Sequence, residues 1–167
     1  MIRKLLHYNI RTTKFDQTVA FYRDVLGMRN DVPPGAPDGT PPAWLYDDSG
    51  EAIVHLLSVD PVDPEGDYAR RTAFRGGPDR RFPLRFSGSG SIDHIALACD
   101  DWDDMISRLK QHEVSFCENH IPAMNVHQLF ITDPNGVLLE LNFQPSPSGL
   151  GLDSIQGGFE EPREAIA

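Results

Sequence analysis

The chain has 167 residues, 40% of them hydrophobic and 24% charged, the profile of a globular protein long enough for one compact domain or two small, tightly joined ones. A net charge of −10 argues against nucleic acid or an anionic membrane as partner, and no apolar run approaches the roughly 20 residues that cross a bilayer. Two cysteines, Cys99 and Cys117, cannot build a disulfide framework, and the N-terminus carries no apolar stretch before a small-residue cleavage site, so a cytoplasmic protein with free thiols is expected.

Alternation predicts a first strand over 3–12, with Leu6, Tyr8 and Ile10 towards a packed layer and His7, Asn9 and Arg11 on the opposite face. A helix follows over 14–26, with Thr13 as N-cap and Asp16 three residues on. Phe15, Val19, Tyr22 and Leu26 fall at helical spacing, and Gly27 closes the run. Residues 28–32 read as a short strand. The stretch 33–42 holds five prolines and two glycines and reads as a loop. Strands at 43–47 and 52–59 are joined by a turn at Asp48-Ser49-Gly50.

Residues 60–90 are rich in Pro, Gly, Ser and Arg and read as a connecting arm or lid. Six arginines (Arg70, Arg71, Arg75, Arg80, Arg81 and Arg85) stand against Asp67 and Asp79, so 67–85 carries +4 and the rest of the chain −14. The order then repeats. A strand over 91–99 is followed by a helix capped by Asp100 or Asp101 and carrying Trp102, Met105, Ile106 and Leu109. Strands come next at 114–118 and 126–132. The turn Asp133-Pro134-Asn135-Gly136 leads to a last strand over 137–143, with Leu138, Glu140 and Asn142 sharing one face. The tail 144–167 has breaker composition at its start and reads as loosely ordered or packed on a partner.

The repeat carries chemistry. His7 lies on the first strand of the first half and His94 on the first strand of the second. His55 and Glu140 lie on the last strands, 48 and 46 residues further on. Three imidazoles and one carboxylate make a first shell for a divalent ion such as Fe, Zn, Ni, Co or Mn. A lone histidine in a strand is more often structural. Equivalent placement in both repeats shifts the reading to metal binding, and a carboxylate in an otherwise apolar strand needs a cation or water. His120 and His127 flank the loop before the seventh strand and could serve as acid or base, because histidine titrates near neutrality.

Four landmarks carry a family resemblance. They are His7-Tyr8-Asn9-Ile10; Thr18-Val19-Ala20-Phe21-Tyr22-Arg23-Asp24-Val25-Leu26-Gly27; Asp93-His94-Ile95-Ala96; and Phe130-Ile131-Thr132-Asp133-Pro134-Asn135-Gly136-Val137-Leu138-Leu139-Glu140. With them the chain resembles the vicinal oxygen chelate superfamily of glyoxalases, epimerases, fosfomycin- and bleomycin-resistance proteins and extradiol dioxygenases. The resemblance spans 3–59 and 90–143.

It implies an α+β fold: two tandem βαβββ modules forming a cupped mixed sheet around a metal site. The modules would be 1–59 and 90–143, with the arm at 60–89 between them and the tail at 144–167. His7, His94 and Glu140 fall on the family's ligand positions, and His55 falls where glyoxalase-like members carry Glu and epimerase-like members Gln. The implied activity is that of a lyase or isomerase working through a metal-stabilised enolate of a small, anionic, oxygen-chelating substrate. Glu140, His127 and His120 are the catalytic candidates, and Asn9, Arg11, Phe130 and Asn142 the substrate-binding ones. The alternatives are an Fe(II)-dependent extradiol-type dioxygenase, against which Phe130 stands where that signature has Tyr, and a non-catalytic antibiotic-binding protein. Members of this kind usually pair edge strands with a second copy, so a homodimer is expected.

Overall fold

The structure, a computed structural model, describes residues 4–33, 35–71, 88 and 92–144. The chain divides into two compact units, Met1–Gly90 with Asp133–Val137, and Ser91–Thr132 with Leu138–Ala167. Each contains one four-stranded mixed sheet.

In the first unit, β1 (Tyr8–Thr12) is followed by α1 (Phe15–Ala20), β2 (Arg29–Asp31), β3 (Trp44–Tyr46), β4 (Ala52–Ser58) and α2 (Pro64–Arg71). The sheet order is β1-β4-β3-β2, with β1 parallel to β4 and the other pairs antiparallel. After α1 the chain widens into a π turn over Phe21–Val25, and Gly27, at φ 74°, reverses it into β2. One face of the sheet buries Ile10, Leu45, Val54 and Leu56 against Val19, Tyr22 and Val25. Each such side chain contributes about 1.5–3 kcal/mol of hydrophobic stabilisation.

The second unit repeats the βαβββ order. Its elements are β5 (Ile95–Cys99), α3 (Trp102–Gln111), β6 (Phe116–Ile121), β7 (Val126–Thr132) and β8 (Leu138–Phe143). The sheet order is β5-β8-β7-β6, with only β5 and β8 parallel. The Asp101 carboxylate caps α3 by accepting from the Asp104 amide at 3.1 Å. Trp102, Met105 and Leu109 of that helix are buried with Leu129, Ile131, Leu139, Leu141 and Phe143.

Several sequence expectations shift: the strand expected over 91–99 begins at Ile95, just after His94, and the one expected over 114–118 runs from Phe116 to Ile121, because pairing with β8 and β7 sets their ends. The first strand begins at Tyr8, and Leu6, expected to face a packed layer, is 67% exposed, because no strand pairing reaches it. Thr13 does not cap α1: the N-cap is Lys14, with no side-chain cap, and its amide instead donates to Thr12 Oγ1 at 2.8 Å. The stretch read as a connecting arm begins with a true helix. Pro64 opens α2, Asp63 accepts from the Gly66 amide at 3.1 Å, and Tyr68 is buried. Arg75, Arg80, Arg81 and Arg85 of the basic stretch, and the tail from 145 on, lie outside the described residues.

Candidate metal centre

Register explains which side chains meet. In the first unit, Asn9 pairs with His55 on parallel strands and Trp44 with His55 on antiparallel ones, so all three share the face opposite α1. His7, two residues before Asn9, lies there too. Its ring centroid is 6.0 Å from that of His55 and 4.9 Å from Trp44, edge-on to both. Trp44 stacks flat on His55, 4.1 Å between centroids and 3° between planes. Asn9 Nδ2 donates to the His55 carbonyl at 2.9 Å, which ties β1 to β4. Arg11, the next residue on this face, sits with its guanidinium carbon 4.9 Å from the centre of the Tyr68 ring.

In the second unit, Glu140 pairs with Ala96 and Phe130, and Asn142 with Ala98 and Gln128. These residues occupy the face opposite α3. His94, two residues before Ala96, presents Nε2 to Glu140 Oε2 at 3.1 Å. Its Nδ1 lies 2.9 Å from Asp93 Oδ2. That carboxylate raises the His94 pKa, desolvation opposes it, and the Glu140 charge adds to the rise. Glu140 Oε1 accepts from Gln128 Nε2 and from Asn142 Nδ2, each at 2.8 Å. Phe130 stands edge-on to His94, 6.4 Å between centroids.

This chemistry fits a divalent cation. Asp93 Oδ2 beside Nδ1 favours the tautomer in which Nε2 carries the lone pair, the arrangement seen around metal-bound histidines. The half-buried Glu140 side chain accepts from two amides at Oε1 and keeps Oε2 towards that nitrogen. The structure therefore brings together His94 with Glu140 in one unit and His7 with His55 in the other. Among the described residues, no three His, Cys, Asp or Glu side chains come together in a metal-holding group.

His120 and His127 are not brought to these residues. They are cross-strand partners whose rings stack at 4.8 Å, on the face of β6 and β7 that α3 covers. There Trp102 meets His127 edge-on at 4.5 Å, and Glu118 Oε2 lies 3.8 Å from His127 Nε2. Burial, then the neighbouring His120, hold the His127 pKa below its ordinary value, with Glu118 acting in the opposite sense. Burial pushes the Cys99 thiol up to about 11, which keeps it protonated and unreactive at neutral pH. Sequence reasoning missed Trp44, Asp93 and Gln128. Asp93 beside His94 and Gln128 at even spacing from Phe130 were legible signals; the Trp44 stack depends on a strand register that the sequence does not state.

Solved structures share this architecture at low identity. A lactoylglutathione lyase from Agrobacterium tumefaciens aligns at 17% identity and TM-score 0.53 over 86% of this chain and 96% of its own. A glyoxalase/dioxygenase from Nostoc punctiforme aligns at 16% and 0.53, over 84% and 90%. TnmS3, an antibiotic binding protein from Streptomyces sp. CB03234, aligns at 17% and 0.50, over 85% and 96%. No curated protein matches the sequence. The match of residues 4–141 to the family model, together with the duplicated βαβββ fold, shows that the chain belongs to the Glyoxalase/Bleomycin resistance protein/Dioxygenase superfamily.

Proposed function

We propose that this protein is a divalent-metal-dependent lyase or isomerase acting on a small substrate with two neighbouring oxygens. The observation that carries the reading is the His94–Glu140 pair. Nε2 and Oε2 face each other at 3.1 Å while Nδ1 and Oε1 are each engaged from behind. His7 and His55 hold the matching positions of the first module, as a second pair of metal-competent side chains. A divalent ion supplies Lewis acidity to adjacent substrate oxygens as negative charge develops on them.

The chain's own groups do the rest. A neutral His94 imidazole and the Glu140 carboxylate would leave a net charge of about +1 on a divalent site, which attracts an anionic substrate. Arg11 puts a positive charge on the His55 face of the first module. Phe130 gives His94 an apolar wall, and Trp44 offers a flat ring beside His55. Glu140 Oε2, which takes no amide, has one lone pair for the ion and a second that would accept a proton. The working form is a homodimer in the cytoplasm, with no nucleic-acid or membrane partner.

A second reading, an Fe(II) dioxygenase, draws on the same donors, because two histidines and one carboxylate suit that ion. Elemental analysis of protein purified without added metal, followed by solvent proton exchange and oxygen-uptake assays, separates the two. One bound ion per chain, lost in Glu140→Ala and His94→Ala, with proton exchange into a 2-hydroxycarbonyl substrate, is the expected result. Full metal retention in Glu140→Ala would overturn the site, oxygen uptake with catechols would favour the dioxygenase, and a metal-free chain that binds small aromatic molecules would make it a binding protein.

A further inference from the structure

Three amide side chains stand in a row on the Glu140 face of the second sheet. Register sets Asn119 opposite Gln128 and Gln128 opposite Asn142, so the row crosses β6, β7 and β8. Asn119 Nδ2 donates to Gln128 Oε1 at 2.6 Å. Gln128 Nε2 then donates twice, to Glu140 Oε1 at 2.8 Å and to Asn142 Oδ1 at 2.9 Å. Asn142 Nδ2 donates to the same Glu140 oxygen at 2.8 Å. Gln128 and Asn142 each have the oxygen accepting and the nitrogen donating, and Asn119 donates, so none can flip without breaking the row. Gln128 is 7% exposed, deeply buried for a polar residue on the face away from the helix.

We propose that Gln128 and Asn142 are positioning residues that confine Glu140 to ligation through Oε2 alone, and so set which cation the site accepts. The inference rests on the metal reading above and deepens it. A carboxylate oxygen has two lone pairs, and two amide donors occupy both of those on Oε1. Bidentate ligation by Glu140 would require Oε1 to leave both donors and strand two buried amide hydrogens. Calcium takes six to eight oxygens and often a bidentate carboxylate, whereas zinc, nickel and cobalt accept one carboxylate oxygen beside imidazoles. The row therefore selects for a compact, nitrogen-tolerant ion and against calcium. It also gives Asn142, a substrate-binding candidate on sequence grounds, a partner on the carboxylate itself.

The test uses the full chain loaded with Co(II). Affinity is read by competition with a chelator, and coordination by the visible absorption of the ion. Gln128→Leu keeps the volume, removes one of the two donors on Oε1 and takes away the group that holds the Asn142 amide. It is expected to weaken Co(II) about 10–100-fold, the range for partners behind a metal ligand. It should also lower the Co(II) absorption as Glu140 adds its second oxygen, and narrow the preference for Co(II) over Ca(II). Asn142→Ala removes one donor and is expected to do the same to a smaller extent, which keeps the question answerable if Gln128→Leu fails to fold. In the metal-free protein, Glu140→Ala should move the Gln128 and Asn142 side-chain amide signals in a nitrogen–proton correlation spectrum. Wild-type Co(II) affinity and spectrum in both variants would overturn the positioning role while leaving the metal site standing. A wild-type chain that takes up no Co(II), Zn(II) or Ni(II) would overturn the metal reading itself, and this role with it.

Discussion

Thr12 Oγ1 donates to Asn135 Oδ1 at 2.6 Å, joining the end of the first strand to a turn 123 residues further along the chain. Asn135 Nδ2 donates onward to Thr18 Oγ1 at 3.0 Å, and Asp133 accepts from the Asn135 and Val137 amides at 2.8 and 2.9 Å. Tyr22 reaches the same Asp133 carboxylate at 3.3 Å. Thr12, Thr18, Tyr22, Asp133 and Asn135 are all buried. The Asp-Pro-Asn-Gly turn is therefore a plug in the first unit as well as the lead-in to the strand that bears Glu140.

Asn135→Ala should accordingly be costly. It leaves the buried Thr12 and Thr18 hydroxyls short of a partner, and the expected loss is about 2–4 kcal/mol by urea unfolding. Asn135→Asp should cost more, because it sets a second carboxylate beside Asp133. A loss below about 0.5 kcal/mol in Asn135→Ala would show that the plug adds little.

Acid should weaken the fold through His127. Its folded pKa lies below the unfolded value of about 6.5, so below that pH the unfolded chain takes up the proton more readily. The His127 contribution is complete above about pH 6.5 and is lost as pH falls from there through the folded pKa. His120 and Glu118 are the titratable groups beside it on the sheet, and Trp102 closes it from α3. Stability measured from pH 7.5 to 5 should fall more steeply in the wild type than in His127→Phe. Parallel curves for the two proteins would remove His127 as the cause.

Trp44 should report on the ion. Trp102→Phe leaves Trp44 as the sole tryptophan, stacked 4.1 Å from His55. Ni(II) or Co(II) held by His55 should quench its fluorescence strongly in that protein. His55→Ala should abolish the quenching and weaken binding by at least about the hundredfold that bounds the effect of an outer partner. Quenching retained in His55→Ala, with affinity unchanged, would move His55 out of the ligand set.

Much of the fold was legible because its signals are local. Gly27 at the end of the first helix, Asp101 at the start of α3 and the Asp-Pro-Asn-Gly turn mark boundaries through backbone chemistry that neighbouring residues decide. Two-residue alternation along β8 put Leu139, Leu141 and Phe143 on one face and Glu140 on the other, as found. The same alternation could not say where β1 begins. Pairing with β4 decides that, and pairing starts at Tyr8, which leaves Leu6 exposed. Nor could composition reveal α2, whose Pro, Gly and Arg content matches a loop until the Asp63 cap and the burial of Tyr68 are seen.

By itself, the sequence determined the duplicated βαβββ order and the equivalence of His7 with His94 and of His55 with Glu140, because repeat spacing and strand alternation do not depend on distant partners. Tertiary structure alone decided that Gln128 and Asn142 close on one oxygen of Glu140, that His120 and His127 lie under α3, and that Asn135 belongs to Thr12 and Thr18. Those outcomes turn on strand register and on contacts across as many as 123 residues. A one-residue slip in register would have exchanged the two faces of β7, sending Gln128 under the helix and His127 towards the carboxylate.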